Sequence, residues 1–253
     1  MGGGGAMPRF FVDNGSILGE KIVIGGEDAK HISLSLRARV GERLTVCDGK
    51  GTDYECEISG ITKNEVELSV LEKTTGSAEP CLEVTLYQAL VKSDKFDFIV
   101  QKCTELGVSH IVPVLTDRCI SKPDEASLSK KIARWNKIAR EAAMQSGRGC
   151  IPDVGNAVTF DEALLGLKKA DCGFVCYETT PRVPMREIYE STENAPRTAA
   201  FLVGPEGGIS DREAEKTVQA DVALAGLGPR ILRTETAPLC VMSALMLMSG
   251  NMD

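Results

Sequence analysis

Histidine is almost missing from this chain: His31 and His110 are its only two in 253 residues. Zinc ligands come as paired cysteines or as cysteines with nearby histidines, and neither grouping is present, so no metal is expected. Long apolar runs are missing as well. The longest nearly unbroken one, Pro238–Met248, falls well short of the roughly 20 residues that span a bilayer and reads as a buried helix. No charged segment followed by an apolar one marks a secretion signal, so the cytoplasm is the expected compartment and no membrane partner is expected. Met1-Gly-Gly-Gly-Gly-Ala6 ahead of Met7 looks like an expression remnant and is set aside. Patterned cysteine is absent too. The nine are scattered and odd in number, against a closed disulfide framework; the nearest pair, Cys172 and Cys176, brackets a strand-like Gly-Phe-Val.

An overall positive charge is also lacking, since the chain carries a formal −7. Net charge is an average, and nucleic acids respond to local patches. From Ser121 to Arg148 seven basic residues (Lys122, Lys130, Lys131, Arg134, Lys137, Arg140, Arg148) face three acids (Asp124, Glu125, Glu141), a local +4. A solvated helix face can carry the same excess, so this alone points to RNA only weakly.

What is present divides in two. From Pro8 to about Leu71 short alternating runs (Tyr54, Cys56, Ile58; Val66, Leu68, Val70) and the Asp48–Gly51 turn after Leu44–Cys47 predict a small β-barrel. Glu72–Pro80, polar and holding Gly76 and Pro80, reads as a linker or surface loop. The expected domains are 7–73 and 80–253. In the second, strands at Leu82–Leu90, Val108–Leu115, Cys172–Tyr177, Ala199–Val203 and Val222–Leu227 alternate with helices at Asp94–Leu106, Ser127–Ser146, from Ser210, and Thr236–Gly250. Gly107 ends the first helix, Trp135 and Ile132 read as core, and Ser210 with Glu213 forms a capping box. Alternating apolar strands and helices imply an α/β fold with a parallel sheet covered on both faces.

Two glycine-punctuated segments carry the chemistry. Phe201–Ser210 holds Gly204-Pro-Glu-Gly-Gly208 between a strand and a capped helix, where parallel sheets bind ligands; glycines remove side chains that would block a close approach. The lysine followed by Ser or Thr that a triphosphate loop needs is missing, and Gly226-Leu-Gly228-Pro-Arg-Ile231 fails as a dinucleotide fingerprint. A nucleotide-like ligand without a triphosphate fits better. Leu227–Thr236 also joins strand to helix, with Thr234 or Thr236 as a possible cap, and crowds Arg230, Arg233 and Glu235 into one loop.

With Leu227-Gly-Pro-Arg-Ile-Leu-Arg-Thr-Glu-Thr-Ala237, that glycine loop resembles the signature of the bacterial uridine-N3 methyltransferases of small-subunit (16S) ribosomal RNA, in the SPOUT superfamily. Met7–Val12, His31–Gly41, Gln101–Val108, Arg134-Trp135 and Glu141–Arg148 resemble further family segments, so the likeness covers nearly the whole chain from Met7. Pro229 and Ser35 depart from the usual pattern.

The resemblance implies a SPOUT-type sheet with a C-terminal deep trefoil knot behind a PUA-like β-barrel that helps hold RNA, a homodimer, and S-adenosyl-L-methionine as cofactor. Tyr177, Glu178, Leu202, Val203, Gly204, Glu206, Gly207, Gly208, Leu227, Gly228, Ile231, Leu232 and Thr234 would bind the cofactor, its adenine against the backbone of 227–234. The substrate would be 16S ribosomal RNA, within an assembled small subunit, contacted by Lys130, Lys131, Arg134, Lys137, Gln145 and Arg148. Uracil N3 carries a proton at neutral pH, so transfer needs a base or a cation that stabilises the anion. Glu206 and Glu235 are candidate bases and Arg9, Arg230 and Arg233 candidate cations; arginine assistance is favoured because a planar guanidinium matches a carbonyl edge. His31 is expected to be a satisfied barrel residue and His110 a structural one. Two rivals remain open: a SPOUT enzyme acting on transfer RNA or ribose, and an RNA-binding ribosome-assembly factor.

Overall fold

The structure is a computed structural model that describes residues 7–75, 79–120 and 123–252. Expectations placed on Met1–Ala6, Gly76, Ser121 and Lys122 lie outside the described residues. The chain divides into two compact units, one made of residues up to Glu79 with Ala143–Ile151, the other of Pro80–Ala142 with Pro152–Asp253. The return of 143–151 to the first unit was not legible in the sequence.

The first unit holds β1 (Arg9–Phe11), β2 (Ile17–Leu18), β3 (Lys21–Gly25), the short helix α1 (Gly26–Lys30), a π-helical turn His31–Ser35, β4 (Arg43–Cys47), β5 (Thr52–Ile61) and β6 (Glu65–Thr75). The sheet runs β1-β4-β5-β6-β3-β2, antiparallel except for β1 against β4. No pairing joins its end strands among the described residues, so the expected barrel is open in its hydrogen bonding. Alternate residues Ile22, Ile24, Leu44, Val46, Tyr54, Cys56, Ile58, Val66 and Leu68 build one core with Phe10 and Ile32, as a period of two requires when one face is buried. One expectation is corrected. Glu72–Thr75 is not a linker: it extends β6, pairing with Thr52–Glu55 past a bulge, because a long partner strand satisfies the backbone of polar residues as well as apolar ones. His31 lies on the π-helical turn of this unit; it is exposed and meets the Phe10 ring edge-on.

The second unit is an all-parallel sheet. Its elements are β7 (Glu83–Ala89), α2 (Ser93–Glu105), β8 (His110–Leu115), α3 (Glu125–Ser146), β9 (Asp153–Val154), β10 (Val158–Thr159), α4 (Phe160–Lys169), β11 (Cys172–Cys176), β12 (Val183–Pro184), α5 (Met185–Glu190), β13 (Thr198–Val203), α6 (Asp211–Gln219), β14 (Ala223–Gly226) and α7 (Ala237–Met248). Strand order is β10-β8-β7-β13-β11-β14-β12, with β9 also on β8. Leu86, Phe174, Phe201 and Val203 point to one face, beneath Phe96, Ile99, Trp135, Val241 and Leu245 of α2, α3 and α7. Val175, Ala200, Leu202 and Leu224 point to the other, against Phe160, Leu164 and Ala214 of α4 and α6. Both faces are covered, as apolar parallel strands require. Trp135 is buried, stacks on Phe96 at 3.9 Å and donates its indole N–H to Asp97. The region 152–170 had no expected element, although Thr159 and Glu162 form a capping box there.

Candidate active site

The carboxyl ends of β7, β13, β11 and β14 lie side by side in the sheet, and each leads into a segment that lines one cavity of about 350 Å³. From β7 comes Lys95, in the first turn of α2. From β11 come Cys176, Tyr177 and Glu178, followed by Arg182. From β13 come Val203, Gly204, Pro205, Glu206 and Gly208, and from β14 Leu227 and 230–235. The chain leaves β11 and later returns on both sides of it, as β13 and β14. Loops that diverge in this way open a crevice at the strand ends.

Ten of the thirteen residues expected to bind a cofactor line this cavity, as do Arg230, Arg233 and Glu235. Three do not. Leu202 faces the opposite side of the sheet, among α4 and α6 residues, because strand neighbours alternate faces. Gly207 lies under Arg118, whose guanidinium donates to its carbonyl at 2.9 Å. Gly228 lies outside the lining, its carbonyl accepting from Arg182 at 3.1 Å. Arg9 does not line the cavity either. It belongs to the first unit, where its guanidinium makes a bidentate pair with Asp53 at 2.8 Å and donates to Cys47 Sγ and the Arg148 carbonyl.

The glycines serve a purpose beyond the expected one. A Cβ on Gly204 would stand 3.1 Å from the Gly208 carbonyl carbon and the Ile209 side chain. On Gly208, at φ +71°, it would stand 2.2 Å from Glu178 Oε1. These glycines let the loop fold on itself and against Glu178; they do not merely clear room for a ligand. Nor is Thr234 a helix cap: it is buried, and its hydroxyl donates to the Gly204 carbonyl at 2.7 Å. Thr236 occupies the cap position without a side-chain cap bond.

The charged residues of the lining are Lys95, Arg182, Arg230, Arg233, Glu178, Glu206 and Glu235. Lys95 Nζ lies 3.1 Å from Glu206 Oε1 and 3.4 Å from Glu235 Oε2. Burial alone would raise the Glu206 carboxyl, but backbone hydrogen bonds and Lys95 outweigh it and hold it below the ordinary glutamate value. Glu235 Oε2 is buried and accepts no hydrogen bond. Arg182 donates to the carbonyls of Tyr177, Glu178 and Gly228, fastening the β11 loop to the β14 loop. Arg230 and Arg233 are exposed, and no ion pair holds either guanidinium among the described residues. Lys95 and Arg182 escaped sequence reading, though Lys95 follows the carboxyl end of a strand, where lining residues are to be sought.

The expected RNA-contacting residues lie on α3, apart from Arg148. Lys130, Arg134, Lys137 and Gln145 are exposed on α3 and Lys131 is half-buried; Arg134 pairs with Asp97. Arg148 is corrected: it is 4% exposed and bound to Glu79 at 2.7 Å, so its charge is spent inside the first unit. His110 pairs with Glu83 at the start of β8.

Comparison with known proteins agrees with this geometry. Residues 77–246 match the RNA methyltransferase domain family and residues 24–71 the RNA methyltransferase PUA domain family. The chain is 36% identical over 225 residues to ribosomal RNA small subunit methyltransferase E of Bacillus subtilis, covering 88% of each chain. The counterpart of the same name from Synechocystis is 30% identical over 94% of this chain and 76% of its own. A crystal structure of ribosomal RNA small subunit methyltransferase E from Neisseria gonorrhoeae, bound to S-adenosyl methionine, superposes with TM-score 0.85 at 31% identity, over 96% of this chain and 98% of that one. A putative methyltransferase of Legionella pneumophila, in complex with the same cofactor, gives TM-score 0.85 at 29% identity over 96% and 98%. With its PUA-like N-terminal unit and its parallel α/β unit, the chain belongs to the ribosomal RNA small subunit methyltransferase E family of RNA methyltransferases.

Proposed function

We propose that this protein uses S-adenosyl-L-methionine to methylate N3 of one uridine in small-subunit (16S) ribosomal RNA, acting in the cytoplasm as a homodimer on an assembled subunit. The observation that carries the reading is the meeting of the Gly204–Gly208 loop and the 227–236 loop around one cavity at the carboxyl ends of parallel strands. The cavity suits the cofactor. Its volume lies within the roughly 300–1,000 Å³ usual for small-molecule sites. Val203, Leu227, Ile231, Leu232 and Ala237 offer apolar surface to an adenine. Glu178, Glu206 and Glu235 offer carboxylates to a ligand with cationic sulfonium and ammonium groups. The reading includes a C-terminal trefoil knot of the SPOUT kind, which rests on the sequence resemblance.

The bound cofactor supplies an electrophilic methyl group on a sulfonium centre. The chain must hold the uracil in line with it and make N3 nucleophilic. Arg230 and Arg233, free of ion pairs, suit stabilisation of negative charge on O2 or O4 as the N3 proton leaves. Glu206 suits the base role less well, since Lys95 and backbone donors keep it ionised and weaken it as a proton acceptor. Glu235 pairs with the same ammonium at 3.4 Å and suits the base role no better, so the N3 proton passes to solvent while an arginine holds the anion.

The test is incubation with small ribosomal subunits lacking the modification and cofactor labelled on the methyl group, followed by nucleoside analysis. Label in 3-methyluridine is expected. Label on ribose favours a rival enzyme, and cofactor binding without transfer a rival enzyme with another RNA substrate or an assembly factor; either overturns the reading.

A further inference from the structure

Among the described lining residues, Lys95 alone pairs with a carboxylate from each of the two pocket loops, Glu206 from one and Glu235 from the other. Its backbone is anchored by the core beneath α2, whose Lys92 end also bonds the Glu206 carboxylate. Lys95 lies in the first turn of α2, next to Phe96, which is fully buried and stacked on Trp135, with Ile99 and Val100 buried one turn on. The ammonium therefore stands between two loops that the Thr234 hydroxyl also joins through the Gly204 carbonyl, and it ties each of them to α2. Two carboxylates converging on one point repel each other unless a cation stands between them. For Glu235 the dependence is sharper: its Oε2 is shut off from solvent, accepts no hydrogen bond, and has the Lys95 ammonium at 3.4 Å. A buried carboxylate oxygen stripped of its compensating cation is costly, so without Lys95 the 227–236 loop would be driven to move.

We propose that Lys95 is a positioning residue for methyl transfer, holding the Gly204–Gly208 loop and the 227–236 loop at their working separation through Glu206 and Glu235. The proposal rests on reading the cavity as the S-adenosylmethionine site, and its first measurement needs no ligand. The amides of Gly208, Thr236 and Ala237 are hydrogen-bonded within their own loops, to Pro205 and Arg233 carbonyls, and report the closure of each. In ligand-free Lys95→Met, exchange at these three amides should quicken by about tenfold while α4 amides keep their protection. Lys95→Arg should restore the slow rates, because it keeps the charge. By calorimetry, affinity for S-adenosylhomocysteine should fall by about tenfold in Lys95→Met and recover in Lys95→Arg, as expected when a preorganised pocket is loosened. Unchanged exchange in Lys95→Met, faster exchange spread equally into α4, or a Lys95→Arg protein no better than the methionine variant would each overturn the proposal. A wild-type protein that transfers no methyl group would remove the proposed function, while the ligand-free exchange still decides whether Lys95 ties the loops.

Discussion

The hydroxyl of Thr234 donates to the carbonyl of Gly204 at 2.7 Å, across 30 residues of chain and with both groups buried. It also accepts from Gln88 Nε2 at 3.2 Å, so one hydroxyl links β7, the glycine loop and the 227–236 loop. Thr234→Val keeps the shape and removes both bonds, leaving the Gly204 carbonyl and the Gln88 amide buried and short of partners. A loss of about 1–3 kcal/mol is expected, read by urea denaturation, together with weaker cofactor binding. Thr234→Ser should retain most of both.

Gly208 and Gly228 both hold left-handed backbone, at φ +71° and +93°, yet only at Gly208 would a Cβ collide, 2.2 Å from Glu178 Oε1. A Cβ on Gly228 meets nothing within 4 Å. Gly228→Ala should therefore cost only the backbone strain, about 1–3 kcal/mol. Gly208→Ala should add displacement of Glu178 to the same strain and abolish measurable cofactor binding. Equal binding by the two variants would refute the role assigned to the Gly208 approach.

Glu206 yields a pH prediction. Its carboxyl is held below the ordinary glutamate value, so the folded state binds its proton less readily than the unfolded state does. The stability it contributes is present above the unfolded value near pH 4.5 and is lost as pH falls through the lower folded value. Thermal unfolding of the wild type should thus weaken more steeply below about pH 4.5 than that of Glu206→Gln.

If an arginine stabilises the uracil anion, Arg230→Ala or Arg233→Ala should lower kcat by roughly 10²–10³, the range for loss of one preorganised donor. Cofactor affinity should change little for the responsible residue. A fall in cofactor affinity with kcat intact would instead make that arginine a binding group.

Two sets of charge changes separate the RNA surface from the structural ion pairs. Neutralising Lys130, Lys131 and Lys137 together should weaken RNA binding and flatten its salt dependence. Arg148→Ala should act on stability: it leaves Glu79 without the guanidinium that it binds at 2.7 Å, and breaking a buried pair costs about 3–5 kcal/mol. A normal melting temperature for Arg148→Ala, with lost RNA binding, would return Arg148 to the RNA surface.

The local grammar of the chain was enough for many of its elements, though not for those between 152 and 170. The i, i+3, i+4 stripe of Phe96, Ile99, Val100 and Cys103 gives α2, the Ser210–Glu213 capping box opens α6, and alternation along 52–59 and 65–71 gives β5 and β6. These signals are legible because periodicity and caps are properties of neighbours in sequence. The two glycine segments were legible as a pocket for the same reason, each lying between a strand and a helix. Only the tertiary structure decided which side chains meet. Lys95 and Arg182 join the site because β7, β13, β11 and β14 are neighbours in the sheet; Leu202 leaves it because its strand turns that residue to the far face. Arg9 and Arg148 read as free cations in the sequence, yet their carboxylate partners, Asp53 and Glu79, lie 44 and 69 residues away. Charge type and glycine content are written residue by residue, whereas pairing and close approach depend on which distant segments the sheet brings together.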